Sequence, residues 1–164
     1  MDIRMFSRRL LNFIGFVACA GMMAYAFFAQ YVLELDPCPL CMLQRVAVVA
    51  LGSIFLLAVL QSPGRLGAGI YALLLLIAGG AGIGVAGRHV WLQNLPPDQV
   101  PACGPDWSFM VDAFPLAEML EMILSGSGEC ADIIWSLFGL SMPAWVLIAL
   151  TVTTTYGLFV NLRK

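Results

Sequence analysis

Four unbroken apolar stretches dictate what this chain can become. They run over about residues 10–32, 39–60, 66–87 and 143–162. Each reaches the roughly 20 residues a helix needs to cross the hydrocarbon core of a bilayer. None alternates with the period of two expected of a half-buried strand, and all are too long for strands. Of the 164 residues, 61% are hydrophobic and only 11% charged, against about 25% charged in a soluble domain. That little polar surface cannot coat a water-soluble particle, and the same figures exclude a disordered chain. The expected fold is an all-α membrane protein, a four-helix transmembrane bundle built as one transmembrane domain over residues 1–164. Loops of about residues 33–38 and 88–142 gather at one end of it. A net charge of -2 without any basic run leaves nucleic-acid binding nothing to rest on.

The basic residues orient the bundle. Arg4, Arg8, Arg9, Arg65, Arg163 and Lys164 fall on one side of a four-pass arrangement, six of the eight in the chain. The positive-inside rule assigns that side, and with it both chain ends, to the cytoplasm. The two larger loops then face outward. Ala18-Cys19-Ala20 imitates a signal-peptide cleavage site, but the apolar run continues well past it. A signal peptide has an apolar region of about 7–15 residues, so the first span reads as an uncleaved anchor.

Smaller features suggest how the parts pack. Gly80 and Gly84 form a small-xxx-small pair in span three, and Gly15 and Gly21 notch span one; such positions let helices approach closely. In the long loop, Leu116, Met119, Leu120, Ile123 and Leu124 recur at helical spacing after Pro115. They predict a short amphipathic helix that either lies in the membrane interface or packs on the outer end of the bundle. Ser125-Gly126-Ser127-Gly128 reads as a hinge. Trp91, Trp107, Trp135 and Trp145 read as an interfacial aromatic belt.

The cysteines carry the chemistry. Cys19, mid-span, reads as a small buried apolar residue. Cys38, Cys41, Cys103 and Cys130 fall on the outer side, where thiols meet an oxidising compartment. Two disulfides are expected, with three pairings open. Cys38 and Cys41 are separated by Pro39-Leu40, so a bridge between them closes too small a loop to be a useful staple and suits a redox couple. A passive staple and a zinc site are the alternatives. Zinc takes four such donors, but Cys103 and Cys130 are far apart in sequence and His89 is the one histidine, so no metal is expected. Cys41 falls in the first turn of span two, where free N–H groups and the helix dipole favour a thiolate. Arg45 lies one turn deeper on the same face. It either anchors the helix at the interface or holds an anion beside Cys41, whether the thiolate or a polar oxygen of a membrane-soluble acceptor. Arg88 and His89 close span three at the same edge. They either cap that helix, or His89 bonds the acceptor or relays protons.

With these residues in place, the chain resembles the disulfide bond formation protein B family. The resemblance runs through Cys38-Pro39-Leu40-Cys41-Met42-Leu43-Gln44-Arg45, through Arg88-His89 and through Phe138-Gly139-Leu140-Ser141-Met142-Pro143-Ala144-Trp145. It adds Cys103 and Cys130 as a pair in the long loop and covers essentially the whole chain. It implies a protein-dithiol:quinone oxidoreductase of the bacterial inner membrane, with its redox-active loops facing the periplasm. In the implied cycle a reduced DsbA-like periplasmic thiol oxidase attacks Cys103. The freed Cys130 attacks the Cys38–Cys41 bridge at Cys38. Cys41 becomes a thiolate beside ubiquinone, or menaquinone when oxygen is scarce, drawn from the membrane's quinone pool. Arg45 matches the family's quinone-side arginine, His89 is carried over as a second cofactor contact, and Gln44 stands where some relatives carry an acid. The alternative is a non-enzymatic four-pass membrane protein whose disulfides stiffen its outer loops.

Overall fold

The computed structural model describes residues 7–102 and 107–163. Arg4, Cys103 and Lys164, with the side chain of Trp107, lie outside the described residues. The chain forms α1 (Arg8–Tyr31), α2 (Pro39–Gln61), α3 (Arg65–Gln93), α4 (Trp107–Ala113), α5 (Leu116–Ser125) and α6 (Gly128–Ala131). A two-stranded hairpin of β1 (Ser136–Leu137) and β2 (Leu140–Ser141) follows, then α7 (Met142–Leu162). Among the described residues, α1, α2, α3 and α7 are long and apolar enough to cross a membrane. They make the expected four-helix membrane bundle.

Local chemistry sets the helix starts. The Ser7 side chain accepts the Leu10 N–H at the head of α1. Cys38 caps α2 with Pro39 in the first turn, where proline's missing donor costs nothing. At the far end of α2, Ser62 takes a left-handed conformation (φ 45°) that ends the helix just before Pro63. The expected boundaries are off by one or two residues, except in span three. There α3 runs on to Gln93 instead of stopping near residue 87, about 9 Å further at 1.5 Å per residue. Arg88 and His89 therefore sit inside α3 and cap nothing at its C-terminus. Arg88 instead donates to the carbonyls of Leu124 (3.1 Å) and Ser125 (3.0 Å) at the end of α5. Its guanidinium carbon lies 4.2 Å from the centre of the Trp91 ring.

α3 packs along both α7 and α2, while α1 leans mainly on α2. Cys19, Val48, Leu51, Phe55, Leu75, Ala86 and Leu150 form the buried core of the bundle. The close-packing glycines differ from those expected. A Cβ on Gly79 would meet Thr154 Cγ2 at 2.6 Å, and one on Gly82 would meet Ala47 at 2.8 Å, whereas Gly80 and Gly84 have open space around them. In α1, Gly15 packs on Phe55 and Gly21 is open. At the end of the bundle bearing the chain termini, the side chains of Asn12 and Asn161 pair across α1 and α7.

The long connector folds over the opposite end. Met119 and Ile123 of α5 are buried with Leu40, Leu92, Met110 and Cys130, while Leu116 and Leu124 remain exposed. The amphipathic helix thus docks on the bundle through two of its five apolar positions. The segment read as a hinge is a packed turn. Gly126 has φ 87°, and a Cβ there would strike Leu92 at 2.5 Å; Ser127 is buried. The β1–β2 hairpin turns on Phe138 (φ 53°) and Gly139 (φ 80°), the paired positive angles of a tight two-residue turn. Ser141 Oγ donates to Gln93 Oε1 at 2.6 Å, fixing the hairpin to the extended end of α3.

Candidate active site

The end of the bundle that carries the connector brings three sulfurs together. Cys38 stands at the head of α2, and its Sγ accepts the Cys41 N–H at 3.4 Å. The two sulfurs lie 3.1 Å apart. The helical turn thus holds the pair close enough to exchange a proton or close a bridge. Both are free thiols in this structure, as is Cys130.

Cys130 arrives from the connector. It is 1% exposed and sits on α6, whose first residue, Gly128, donates its N–H to the Ala102 carbonyl at 3.2 Å. That bond ties the residue preceding Cys103 in sequence to the segment bearing Cys130. The Cys130 Sγ, the Cys38 Sγ and a ring nitrogen of His89 all lie within 4.8 Å of one another. Ser127 Oγ is 3.5 Å from the Cys130 sulfur. A hydrogen bond to Cys38 and burial push the Cys130 thiol well above the ordinary thiol range; both favour the protonated form.

His89 is buried between the two halves of this cluster. Its Nε2 lies 3.8 Å from Cys38 Sγ and its Nδ1 4.0 Å from Cys41 Sγ. Nδ1 is also 3.1 Å from Gln44 Nε2. An amide offers both a donor and an acceptor, so Gln44 satisfies His89 in either tautomer. The line Ala68, Ala72, Leu75, Gly79, Gly82, Ala86 is the buried face of α3, and His89 is the next step along it. Small residues there let the ring reach α2.

Arg45 donates to Gln30 Oε1 and, at 3.1 Å, to the Ala26 carbonyl. Its guanidinium carbon is 5.8 Å from the centre of the Phe27 ring. All three partners are on α1, so the arginine ties α2 to α1. It also shares with Cys41 the wall of a cavity of about 520 Å³ between α1, α2, α7 and the connector. Tyr25, Trp135 and Trp145 supply flat walls to the same cavity. The Tyr25 and Trp135 rings meet edge to face at 6.4 Å, and Trp145 Nε1 donates to the Leu137 carbonyl at 3.1 Å. Of the sequence-predicted site residues, Cys38, Cys41, Arg45, His89 and Cys130 converge here, and Cys103 lies outside the described residues. Gln30, Trp135 and Trp145 were not foreseen as site residues. An uncharged polar side chain such as Gln30 in an apolar span was a usable signal for it; the belt reading concealed the two tryptophans.

This arrangement can pass reducing equivalents between sulfurs and present the Cys38–Cys41 pair to a mostly apolar cavity. The comparisons with known proteins agree with that chemistry. The family model described as "Disulfide bond formation protein DsbB" matches residues 8–160. A disulfide bond formation protein B of Nitrosococcus oceani is 54% identical over 143 residues, covering 87% of this chain and 85% of the relative. The protein of that name from Marinobacter nauticus is 47% identical over 91% of this chain and 89% of its own length. The one from Hahella chejuensis is 46% identical over 96% of both chains.

Proposed function

Since the chain belongs to the disulfide bond formation protein B family, we propose that it is a thiol:quinone oxidoreductase of the bacterial inner membrane. In this reading it reoxidises a DsbA-like periplasmic thiol oxidase and passes the electrons to ubiquinone or menaquinone. The observation that carries the reading is the buried approach of the Cys130 sulfur to Cys38, with Cys41 facing the cavity.

The steps proposed rest on the cluster of Cys38, Cys41 and Cys130 and on the family's pairing of Cys103 with Cys130. A thiolate of the reduced partner attacks the Cys103–Cys130 bridge at Cys103 and frees Cys130 as the leaving thiolate. Resolution of that mixed disulfide by the partner's second thiol completes its own disulfide, so two electrons and two protons have left the partner. The Cys130 thiolate then attacks Cys38 in the Cys38–Cys41 bridge, and Cys41 leaves as a thiolate. The N-terminus of α2 stabilises that leaving group, which speeds exchange and makes the bridge more oxidising. Cys103 then displaces Cys38 from Cys130, restoring the distal bridge and leaving Cys38 and Cys41 reduced.

The cavity suits a quinone. Its volume falls within the range of about 300–1,000 Å³ seen for small-molecule sites, and its walls are mostly apolar, with Arg45, both cysteines of the Cys38–Cys41 pair and the acidic Asp36, Glu129 and Asp132 among them. A quinone supplies an electron sink for two electrons and two protons. The residues here do the rest. Arg45, held by Gln30 and Ala26, offers a fixed positive charge to an oxygen at the cavity wall. Trp135, Trp145 and Tyr25 provide flat surfaces that orient a ring and exclude water. His89, within reach of both Cys38 and Cys41, can hold a proton as the thiols give theirs up, with Gln44 fixing its ring. Arginines at the terminal end favour cytoplasmic chain ends and periplasmic sulfurs.

Turnover of quinone with a reduced partner oxidase tests the reading. Cys38→Ser and Cys41→Ser each abolish quinone reduction by the purified protein. Full turnover by either variant overturns it.

A further inference from the structure

Disulfide exchange needs Cys130 beside Cys38, but it does not by itself need an imidazole nitrogen within ligand reach of both sulfurs. Two sulfurs from separate segments and one imidazole nitrogen lie within 4.8 Å of one another. The Cys38 Sγ to His89 Nε2 distance is 3.8 Å. Around tetrahedral zinc, ligand atoms bound at about 2.0–2.3 Å stand roughly 3.6–3.8 Å apart. The three donors therefore need to close by at most about 1 Å to meet one cation. Cys41 Sγ lies 3.1 Å from Cys38 Sγ but faces the other ring nitrogen, Nδ1, at 4.0 Å, so it stands outside the set of three.

The surroundings suit a metal ligand as well. A histidine bound to a metal through one nitrogen nearly always has its other nitrogen hydrogen-bonded, which fixes ring and tautomer. If Nε2 takes the cation, Nδ1 carries the proton, and the Gln44 amide, whose nitrogen lies 3.1 Å from Nδ1, turns over to accept it through its oxygen. That pair is buried, His89 at 2% and Gln44 at 4% exposure. The wide spacing of Cys103 and Cys130, which argued against zinc in the sequence, does not bear on this set, because the fold brings Cys130 to Cys38 and His89.

We propose that the reduced protein holds one zinc ion between Cys38, Cys130 and His89, with a solvent molecule completing the four-coordinate shell. Each ligating thiol releases its proton to solvent as the cation binds, and no electrons move. The site exists only while these sulfurs are thiols, because a sulfur in a disulfide is no longer a thiolate donor. Zinc and the disulfide state are thus mutually exclusive. On the relay proposed above, a coordinated sulfur cannot attack; the binding itself rests on the geometry and needs neither quinone nor partner.

Cobalt(II) is the probe, added anaerobically to detergent-solubilised protein after full reduction with a phosphine. The expected result is a thiolate-to-cobalt charge-transfer band with tetrahedral visible bands. They saturate at one equivalent, disappear on adding one equivalent of zinc, and are absent after oxidation of the protein to its disulfides. Cys130→Ser and His89→Ala each weaken cobalt binding at least tenfold, and Gln44→Ala weakens it by about tenfold, the low end for such outer partners. In unmodified reduced protein, zinc also slows alkylation of Cys38 and Cys130 at least tenfold, a readout that needs no variant. Absence of the charge-transfer band overturns the proposal. So does a band of undiminished affinity in both Cys130→Ser and His89→Ala, or alkylation of Cys130 that zinc leaves unchanged. Because no quinone enters these measurements, their failure and a failure of quinone reduction are told apart directly.

Discussion

Arg45 is the single charge on the cavity wall that sits within a spanning helix, and its environment says what its loss would do. Gln30 and the Ala26 carbonyl hold the guanidinium in place, so it meets a ligand oxygen already oriented. A hydrogen bond from a charged group is worth about 1.5–3 kcal/mol, or roughly one to two powers of ten. Arg45→Ala is therefore expected to raise the KM for quinone about tenfold or more while both disulfides still form. Arg45→Lys falls between, since lysine keeps the charge but not the planar fork. An unchanged KM in Arg45→Ala would return the residue to a tie between α1 and α2. Cys130 yields a prediction with a sign. Its proton is held by the hydrogen bond to Cys38 and by burial, so its thiol range lies above the usual value near about 8.5. Below that range the thiolate, the reactive form, grows about tenfold per pH unit. In the reduced protein, alkylation of Cys130 should keep accelerating beyond about pH 9, where an ordinary exposed thiol has levelled off. A plateau near the ordinary range would mean that the contact with Cys38 is not made. The cysteines were legible because so few roles suit a Cys-x-x-Cys at a helix start. His89 was legible only as a residue at an edge, because its neighbours come from the head of α2 and from α6, more than 40 positions away in sequence.

At the scale of the helices, α3 shows where pattern reading stops. Glycines at 79, 80, 82, 84 and 87 surround the helix, so their spacing names no preferred face. The neighbours decide: Thr154 presses on Gly79 and Ala47 on Gly82, with nothing against Gly80 or Gly84. Gly79→Ala and Gly82→Ala should each destabilise the bundle by about 1–3 kcal/mol, the usual cost of overpacking. Gly80→Ala and Gly84→Ala should be neutral or stabilising by up to about 1 kcal/mol, from helix propensity alone. Unfolding in mixed detergent micelles measures all four, and equal effects at the two pairs would contradict the packing described. The spans themselves were legible because bilayer thickness sets their length. The extra turns of α3 were not, because residues 88–93 leave the apolar run and are kept helical by tertiary partners. Arg88 reaches the end of α5, Leu92 is buried under Gly126, and Gln93 accepts from Ser141.

The whole molecule is a bundle whose α1–α7 seam differs from end to end. At the cysteine end the two helices diverge around the cavity, which takes Tyr25 and Ala26 from α1 and Trp145 and Val146 from α7. At the terminal end they are joined by polar bonds. Asn161 Nδ2 donates to Asn12 Oδ1 at 3.0 Å, and Asn12 Nδ2 reaches Asn161 Oδ1 at 3.4 Å. Both residues are buried, at 1% and 3% exposure. Tyr156 adds a bond to the Leu11 carbonyl at 2.9 Å. Neither asparagine was readable as a partner of the other, since 149 positions separate them and an amide in an apolar span names no mate. Each amide also has a local acceptor, the Arg8 carbonyl for Asn12 and the Gly157 carbonyl for Asn161. Replacing one asparagine therefore strands the carbonyl oxygen of the other more than its N–H. That separates the cross-helix term from the local one, and a double-mutant cycle isolates it. With Asn12→Ala, Asn161→Ala and the pair combined, the coupling should be about 0.6 kcal/mol and no more than about 1.7, the range for hydrogen bonds between membrane helices. The low value reflects the freedom of either amide to find another acceptor when the helices part. Strictly additive single losses would mean that the asparagines touch without joining α1 to α7, and the closed end of the seam would then owe its closure to apolar packing alone.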